Sequence, residues 1–363
     1  MKRNTLRTSA SAAALLSLAL VLGACGAGNE GGDDSGSGSL SGTLNGAGAS
    51  SQQAVVGAWK SAFQTENSDA TINYDPVGSG GGRDQFLSGG VDFAGSDAPL
   101  DDEELVKAKE RCGGEVVEVP VYVSPIAVAF NVKGVDKLNL SSQTIGAIFE
   151  GTITKWDDPA IVADNPDAKL PSASIIPVHR SDDSGTTKNF TAYLEETSGG
   201  SWTAGEVETW PTPEGESAQG TAGVIDRVKA TENAITYADA SQAGDLSTAA
   251  VKVGDTFVEY SPEAAAAILE KSEPIAGRSE TDLALQIDRA TEEAGVYPVV
   301  LVSYAIACQT YEDAKKAELV KGWLSYLVSS EGQEKAAADA GAAPIGGDIA
   351  TKAQAAVETI KAS

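Results

Sequence analysis

Apolar positions along the chain follow two periods that take turns. The stretch Val116–Asn131 (VVEVPVYVSPIAVAFN) and residues 297–307 (YPVVLVSYAIA) are long, near-continuous and rich in β-branched side chains, which predicts buried strands. Shorter apolar or alternating runs at 40–45, 70–77, 91–94 and 174–178 predict further strands. Between them the period becomes helical: residues 52–64 place Val55, Val56, Trp59 and Phe63 on one face. Helices are likewise expected at 83–87, 101–111, 142–150, 187–196, 218–229, 262–271, 282–290, 312–329, 331–338 and 349–361. Elements that alternate in this way predict α/β layers around mainly parallel sheets.

Three times a predicted strand runs into a turn of Gly, Ser and Thr and then a helix, at 48–51, 78–82 and 184–187. Ligands of open α/β sheets bind at such strand ends, and helix N-termini that converge there hold an anion without net positive charge. The richest of these turns lies in His179-Arg180-Ser181-Asp182-Asp183-Ser184-Gly185-Thr186. A permanent cation, hydroxyls and free backbone N–H groups at a helix start are what a tetrahedral oxyanion requires. Asp182 is placed to hold the Arg180 guanidinium. His179, the only histidine, reads as a packed or surface imidazole. Asp97, in Gly95-Ser96-Asp97-Ala98-Pro99, repels an anion unless that anion brings a hydrogen to donate. Hydrogen phosphate does so at neutral pH and sulfate does not. Asp97 also reads as a simple helix cap.

Charge and motifs narrow the classes. The formal net charge of the 363 residues is −26, and three of the cations, Lys2, Arg3 and Arg7, lie in the first 25 residues, which contain no acid. So acidic a body argues against nucleic acid and anionic membrane surfaces as partners. Neither a phosphate-cradling GxxxxGK[ST] nor a GxGxxG with a ribose-binding acid occurs. A single histidine and the lack of CxxC spacing speak against a metal site and against the usual hydrolytic centres, so no cofactor is expected. Residues 1–25 read as a signal segment with a basic start and an apolar run at 10–22. It ends in Leu22-Gly23-Ala24-Cys25, which resembles the lipobox of bacterial lipoproteins, in which the cysteine becomes the lipid-bearing N-terminus. Residues 26–39, rich in Gly, Ser and Asp, read as a flexible linker spanning roughly 20 Å. Cys112 and Cys308 remain, either as a disulfide closing a long loop in an oxidising compartment or as two buried thiols.

Taken together, Gly46-Ala47-Gly48-Ala49-Ser50, Gly78-Ser79-Gly80-Gly81-Gly82, Ser96-Asp97-Ala98-Pro99 and Arg180-Ser181-Asp182-Asp183-Ser184-Gly185-Thr186 occur in this order, with Ile153-Thr154-Lys155-Trp156-Asp157-Asp158-Pro159 before the last. The pattern resembles the phosphate-binding protein of the bacterial phosphate ABC transporter over nearly all of residues 40–363. The resemblance implies a two-lobed periplasmic-binding-protein fold of type II, each lobe a mixed, mostly parallel sheet flanked by helices, with a two-strand hinge. Lobe one is expected from 40–130 plus 300–363 and lobe two from 131–299. Cys112 and Cys308 then both fall in lobe one and stitch its halves together. One inorganic phosphate is expected between the lobes, held by Ser50, Ser51, Ser79, Asp97, Arg180, Ser184, Gly185 and Thr186, with Asp182 orienting Arg180. The implied partner is an ABC permease, and the implied location is the outer face of the cell membrane, anchored at Cys25. The first motif departs from the family, which often continues with an aromatic residue and a proline where this chain has Ser51-Gln52. A sulfate, molybdate or arsenate binder, a secreted phosphatase with Ser184 as nucleophile, and an adhesive surface lipoprotein are the alternatives.

Overall fold

The computed structural model describes residues 39–363 apart from Pro213, so the signal segment, most of the linker and Cys25 lie outside the described residues. The first strands and helices follow the predicted alternation: β1 Gly42–Gly48, α1 Gln53–Glu66, β2 Ala70–Asp75, α2 Ser79–Leu87, β3 Phe93–Ser96, α3 Asp102–Cys112 and β4 Val116–Asn131. α3 begins on a capping box, in which Asp101 accepts from the Glu104 N–H and the Glu104 carboxylate accepts from the Asp101 N–H.

β4 organises the rest. Its residues 116–125 run antiparallel to the strand Val300–Cys308, and its residues 126–131 run antiparallel to Ala234–Asp239. One strand thus serves two sheets. On one side the order continues through Val300–Cys308 to β3, β1 and β2; on the other it continues through Ala234–Asp239 to Ile176–Arg180 and Glu216–Ala218. β1 is parallel to β2 and β3, and Ile176–Arg180 is parallel to both of its neighbours, so each side is a mixed sheet whose strand ends carry the Gly/Ser turns. Trp59, Phe63, Tyr122 and Trp323 fill the core of the first side, and Phe130, Phe149, Trp156, Phe190 and Tyr237 that of the second.

Two sequence expectations change. The turn expected at 78–82 is largely helix, because α2 already starts at Ser79. Its glycines serve close packing: a Cβ on Gly82 would lie 2.3 Å from the Gly48 Cα, and one on Gly80 would lie 2.6 Å from the Asp183 Cβ. The helix expected at 282–290 is absent. Its backbone groups bond to neighbours instead, Leu283 N–H to the Glu118 carbonyl and Leu285 N–H to the Tyr304 hydroxyl, while Leu285–Gln286 pairs with Glu273–Pro274. Residues 278–285 therefore lie against the first half of β4, where Arg278 also donates to the Leu100 carbonyl at 2.8 Å.

Cys112 and Cys308 form a disulfide that joins the end of α3 to the end of Val300–Cys308 across 196 residues of sequence. Loop-closure entropy for so long a loop sets an upper figure of about 5 kcal/mol. The Cys112→Ser/Cys308→Ser double variant is expected to lose several kcal/mol of this in urea unfolding. An unchanged midpoint and slope would show that the bridge adds nothing net to stability.

Candidate functional site

Four chain segments meet where the two sheets face each other. From the first side come the β1–α1 turn with Ser50 and Ser51, the start of α2 with Ser79, and Asp97 just past β3. From the second comes the turn after Ile176–Arg180, which leads through Asp182 into the helix Gly185–Thr197, capped by Ser184 through its bond from the Thr187 N–H. All eight residues expected to hold the anion are buried, with Ser50, the most exposed of the side chains, at 3%. The structure brings them all together.

The contacts run from one side to the other. Ser51 Oγ donates to Asp97 Oδ2 at 2.6 Å, and Thr186 Oγ1 reaches the same oxygen at 3.3 Å. The Asp97 N–H donates to Ser79 Oγ at 3.1 Å. Gly185 packs so tightly on the opposite side that a Cβ there would lie 2.5 Å from Ser79 Oγ and 2.8 Å from the Asp97 Cβ. Gly78, with φ of +99°, caps α2 in a conformation that favours glycine, and a Cβ on it would meet Asp182 Oδ2 at 2.6 Å. The N–H groups of Gly185 and Thr186 lie in the first turn of their helix, where no preceding intrahelical carbonyl is available to them.

Arg180 is the cation of this assembly, 2% exposed. Its Nε donates to Asp182 Oδ1 at 2.8 Å and its Nη2 to Asp182 Oδ2, a two-pronged grip that fixes the plane of the fork and leaves Nη1 on the other edge. Partial burial acts to raise the Asp182 carboxyl, but the hydrogen bonds and charge of Arg180 outweigh it and hold the group below the usual carboxylate range. Burial pushes the Asp97 carboxyl up, opposed by the Ser303 and Ser51 hydroxyls, the Arg180 charge and Thr186. His179 takes no part: its ring stacks on Trp210 at 4.9 Å and faces the Arg180 carbonyl.

Several residues at the site went unread in the sequence. A fourth helix start, that of Gly220–Ala230, joins the three expected ones: the Gly220 N–H donates to Asp182 Oδ1 at 3.0 Å and the Thr221 N–H to Ser50 Oγ at 3.0 Å. Its Gly220-Thr221 pair follows a strand in the same strand–Gly/Thr–helix pattern, which is the signal that could have found it. Gln242 spans the gap by donating to the Ser50 and Ser51 carbonyls at 2.9 and 3.2 Å. Asn189 donates to the carbonyls of Asp97 and Gly185 at 2.7 and 2.8 Å. Arg83, on α2, grips Glu208 of the second side at 3.0 and 2.7 Å while holding Glu104 of its own side at 2.9 Å. The arrangement is that of a buried anion-binding site where the two α/β sides meet, walled by helix starts.

Comparison with known proteins sharpens that class. Residues 33–331 match the family model described as the PBP superfamily domain. The PstS 3 phosphate-binding protein of Mycobacterium tuberculosis (strain ATCC 25618 / H37Rv) is 35% identical, with 99% of this chain and 100% of that protein aligned. That of Mycobacterium leprae is 36% identical over 82% of each chain. Among solved structures, the fold matches the high affinity periplasmic phosphate-binding protein PfluDING, bound with phosphate, with a TM-score of 0.69, 23% identity and 86% of this chain and 93% of that one covered. A phosphate-binding protein from Stenotrophomonas maltophilia matches with a TM-score of 0.64, 21% identity and the same two coverages, 86% and 93%. The chain belongs to the PBP superfamily and, within it, to the family of the PstS phosphate-binding proteins.

Proposed function

We propose that this chain binds inorganic phosphate, as hydrogen phosphate, in the cleft between its lobes and hands it to an ABC permease for import. The observation that carries the reading is a buried carboxylate, Asp97, set among helix N-termini and beside Arg180 in a site that otherwise favours anions. Such a carboxylate is tolerable only if the anion carries a hydrogen to donate to it. A dianion with no hydrogen leaves that acceptor unmatched and adds a charge repulsion, which costs at least ~1–3 kcal/mol.

The shell we propose consists of the Ser50 hydroxyl and backbone, the Ser51 N–H, the Ser79 hydroxyl, the Arg180 guanidinium, the Ser184 hydroxyl, and the N–H groups and Thr186 hydroxyl at the start of Gly185–Thr197. Asp182 orients the guanidinium, and Asp97 accepts the phosphate hydrogen. Lobe one comprises 40–130 plus 300–363 and lobe two 131–299, with residues 278–285 crossing back to brace β4. Because ligands come from both lobes, phosphate binds the closed form better than the open one and draws the equilibrium toward it. The relatives are named as binding proteins, and the reading assigns no catalysis. Location on the outer face of the cell membrane, with lipid on Cys25, completes the proposal: metabolic labelling with a radioactive fatty acid is expected to mark the natural chain and not the Cys25→Ala variant.

A crystal grown with phosphate tests the site. The expected result is tetrahedral density in contact with Arg180 and within hydrogen-bond reach of Asp97. Density elsewhere, with the cleft filled by water, contradicts it. Closure has its own test in Gly185→Ala. The added methyl intrudes on Ser79 and Asp97, so the lobes no longer meet, and phosphate affinity is expected to fall by at least about tenfold, since a 1.4 kcal/mol loss already gives that factor. Wild-type affinity in that variant would show that closure tolerates the shift.

A further inference from the structure

We propose that Ser303, in the strand Val300–Cys308, is a specificity-determining positioning residue that locks Asp97 in the role of hydrogen-bond acceptor and so keeps sulfate out. The inference rests on the phosphate reading of the same site. Ser303 is 0% exposed, 206 residues from Asp97 in sequence, and outside every Gly/Ser turn. Its hydroxyl donates to Asp97 Oδ1. The other oxygen, Oδ2, takes the Ser51 and Thr186 hydroxyls. An ionised carboxylate offers about four acceptor positions, so three hydroxyl donors leave one for the hydrogen of the ligand.

Strand pairing bears on how Ser303 reaches the site. The register between Val300–Cys308 and β4 slips between Ser303 and Tyr304: Ser303 lies opposite Tyr122, and Tyr304 opposite Pro120. Val121 is left over, and such a bulge re-aims the side chains beside it. Ser51 and Thr186 sit on the ligand-holding turns, so removing either hydroxyl also disturbs the wall of the cleft. Ser303 reaches Asp97 from behind, and its hydroxyl can be deleted without deleting a proposed contact to the anion.

The chemistry follows from proton position. Sulfate carries no hydrogen at neutral pH, so it fits only if Asp97 itself is protonated and donates. Three hydroxyl hydrogens aimed at the carboxylate oppose that protonation. Of the influences that hold the carboxyl down against its burial, the bond from Ser303 leads. The other titratable groups that face Asp97 are Arg180 from Ile176–Arg180, Tyr74 from β2, Tyr122 from β4 and Asp239 at the end of Ala234–Asp239. Asp239 is pushed up to about 7, by burial first and with a smaller push from the Asp97 charge.

The test is competition of sulfate against phosphate for the natural chain, Ser303→Ala, Ser303→Cys and Ser303→Thr, at several values between pH 5 and pH 6.5. Ser303→Ala is expected to keep phosphate binding, somewhat weakened, and to gain sulfate affinity as the pH falls. At pH 5 the gain over the natural chain is expected to be about tenfold, which corresponds to about 1.4 kcal/mol. Ser303→Cys, of nearly natural size with a weak donor, is expected to fall between, and Ser303→Thr to behave as the natural chain does. If the alanine and cysteine variants bind phosphate and still reject sulfate as the natural chain does at every pH, Ser303 has no such role. If the natural chain itself ignores phosphate, the phosphate reading fails first, and that outcome is distinct.

Discussion

Arg180→Ala is expected to remove high-affinity phosphate binding, by at least ~2 kcal/mol, a factor of about thirty or more. Charge alone does not carry this effect. Arg180 is 2% exposed and its Nε and Nη2 are committed to Asp182, so the fork is preset and Nη1 loses little freedom when an anion arrives. Alanine removes the cation and leaves the Asp182 carboxylate without its charge partner, held by backbone N–H groups such as that of Gly220. The variant thus turns an attractive wall into a repulsive one. Arg180→Lys retains the charge but not the two-pronged grip, and is expected to lie between. Calorimetry with phosphate gives both numbers, and an alanine variant with natural affinity would place the site elsewhere. A pH effect accompanies this pair. The Asp182 carboxyl is held below its usual range in the folded chain, so the stability it contributes is complete above the unfolded value of about 3.9 and is lost as the pH falls through the lower folded value. Arg180→Ala is expected to flatten that acid limb of the stability curve.

The second large effect is one of selectivity. Asp97→Asn replaces an obligatory acceptor by a side chain that also donates. The amide turns an N–H toward the anion, which suits an oxygen without a hydrogen, so sulfate is expected to enter. Sites that demand a hydrogen from their ligand discriminate by as much as ~10⁴–10⁵, so the phosphate-to-sulfate ratio has far to fall, and a drop of at least ~10² is expected. Phosphate itself retains Arg180 and the helix N-termini and is expected to bind still. Displacement by sulfate in the variant and in the natural chain measures the change directly. Undiminished rejection of sulfate by Asp97→Asn would remove Asp97 from its acceptor role.

Much of the cleft was legible because the chemistry of an oxyanion site is local. A turn such as Ser184-Gly185-Thr186 after a buried strand defines its own donors, and three such turns with one arginine form a recognisable set. Val116–Asn131 was read to the residue because a strand buried along almost its whole length has no polar face to blur its ends. What stayed hidden depends on placement in space. Ser303 is one hydroxyl inside an apolar run, and nothing local separates it from a core serine. Gln242 and Asn189 matter only because the second lobe folds back onto the first. The sequence 282–290 has helical spacing, yet its backbone bonds go to Glu118 and Tyr304, partners more than a hundred residues away in the first case, and tertiary contact overrides propensity there. The glycines at 80 and 82 read as a Gly/Ser turn before a helix and prove to be the first turn of that helix, which must approach Gly48 and Asp183 closely.

Paired titrations of the natural, anion-free chain with phosphate and with sulfate at neutral pH test the central claim most directly. The account predicts tight, saturable heat with phosphate and none with sulfate at the same concentrations. Equal affinity for the two, or no response to phosphate, would contradict recognition through the hydrogen that phosphate carries.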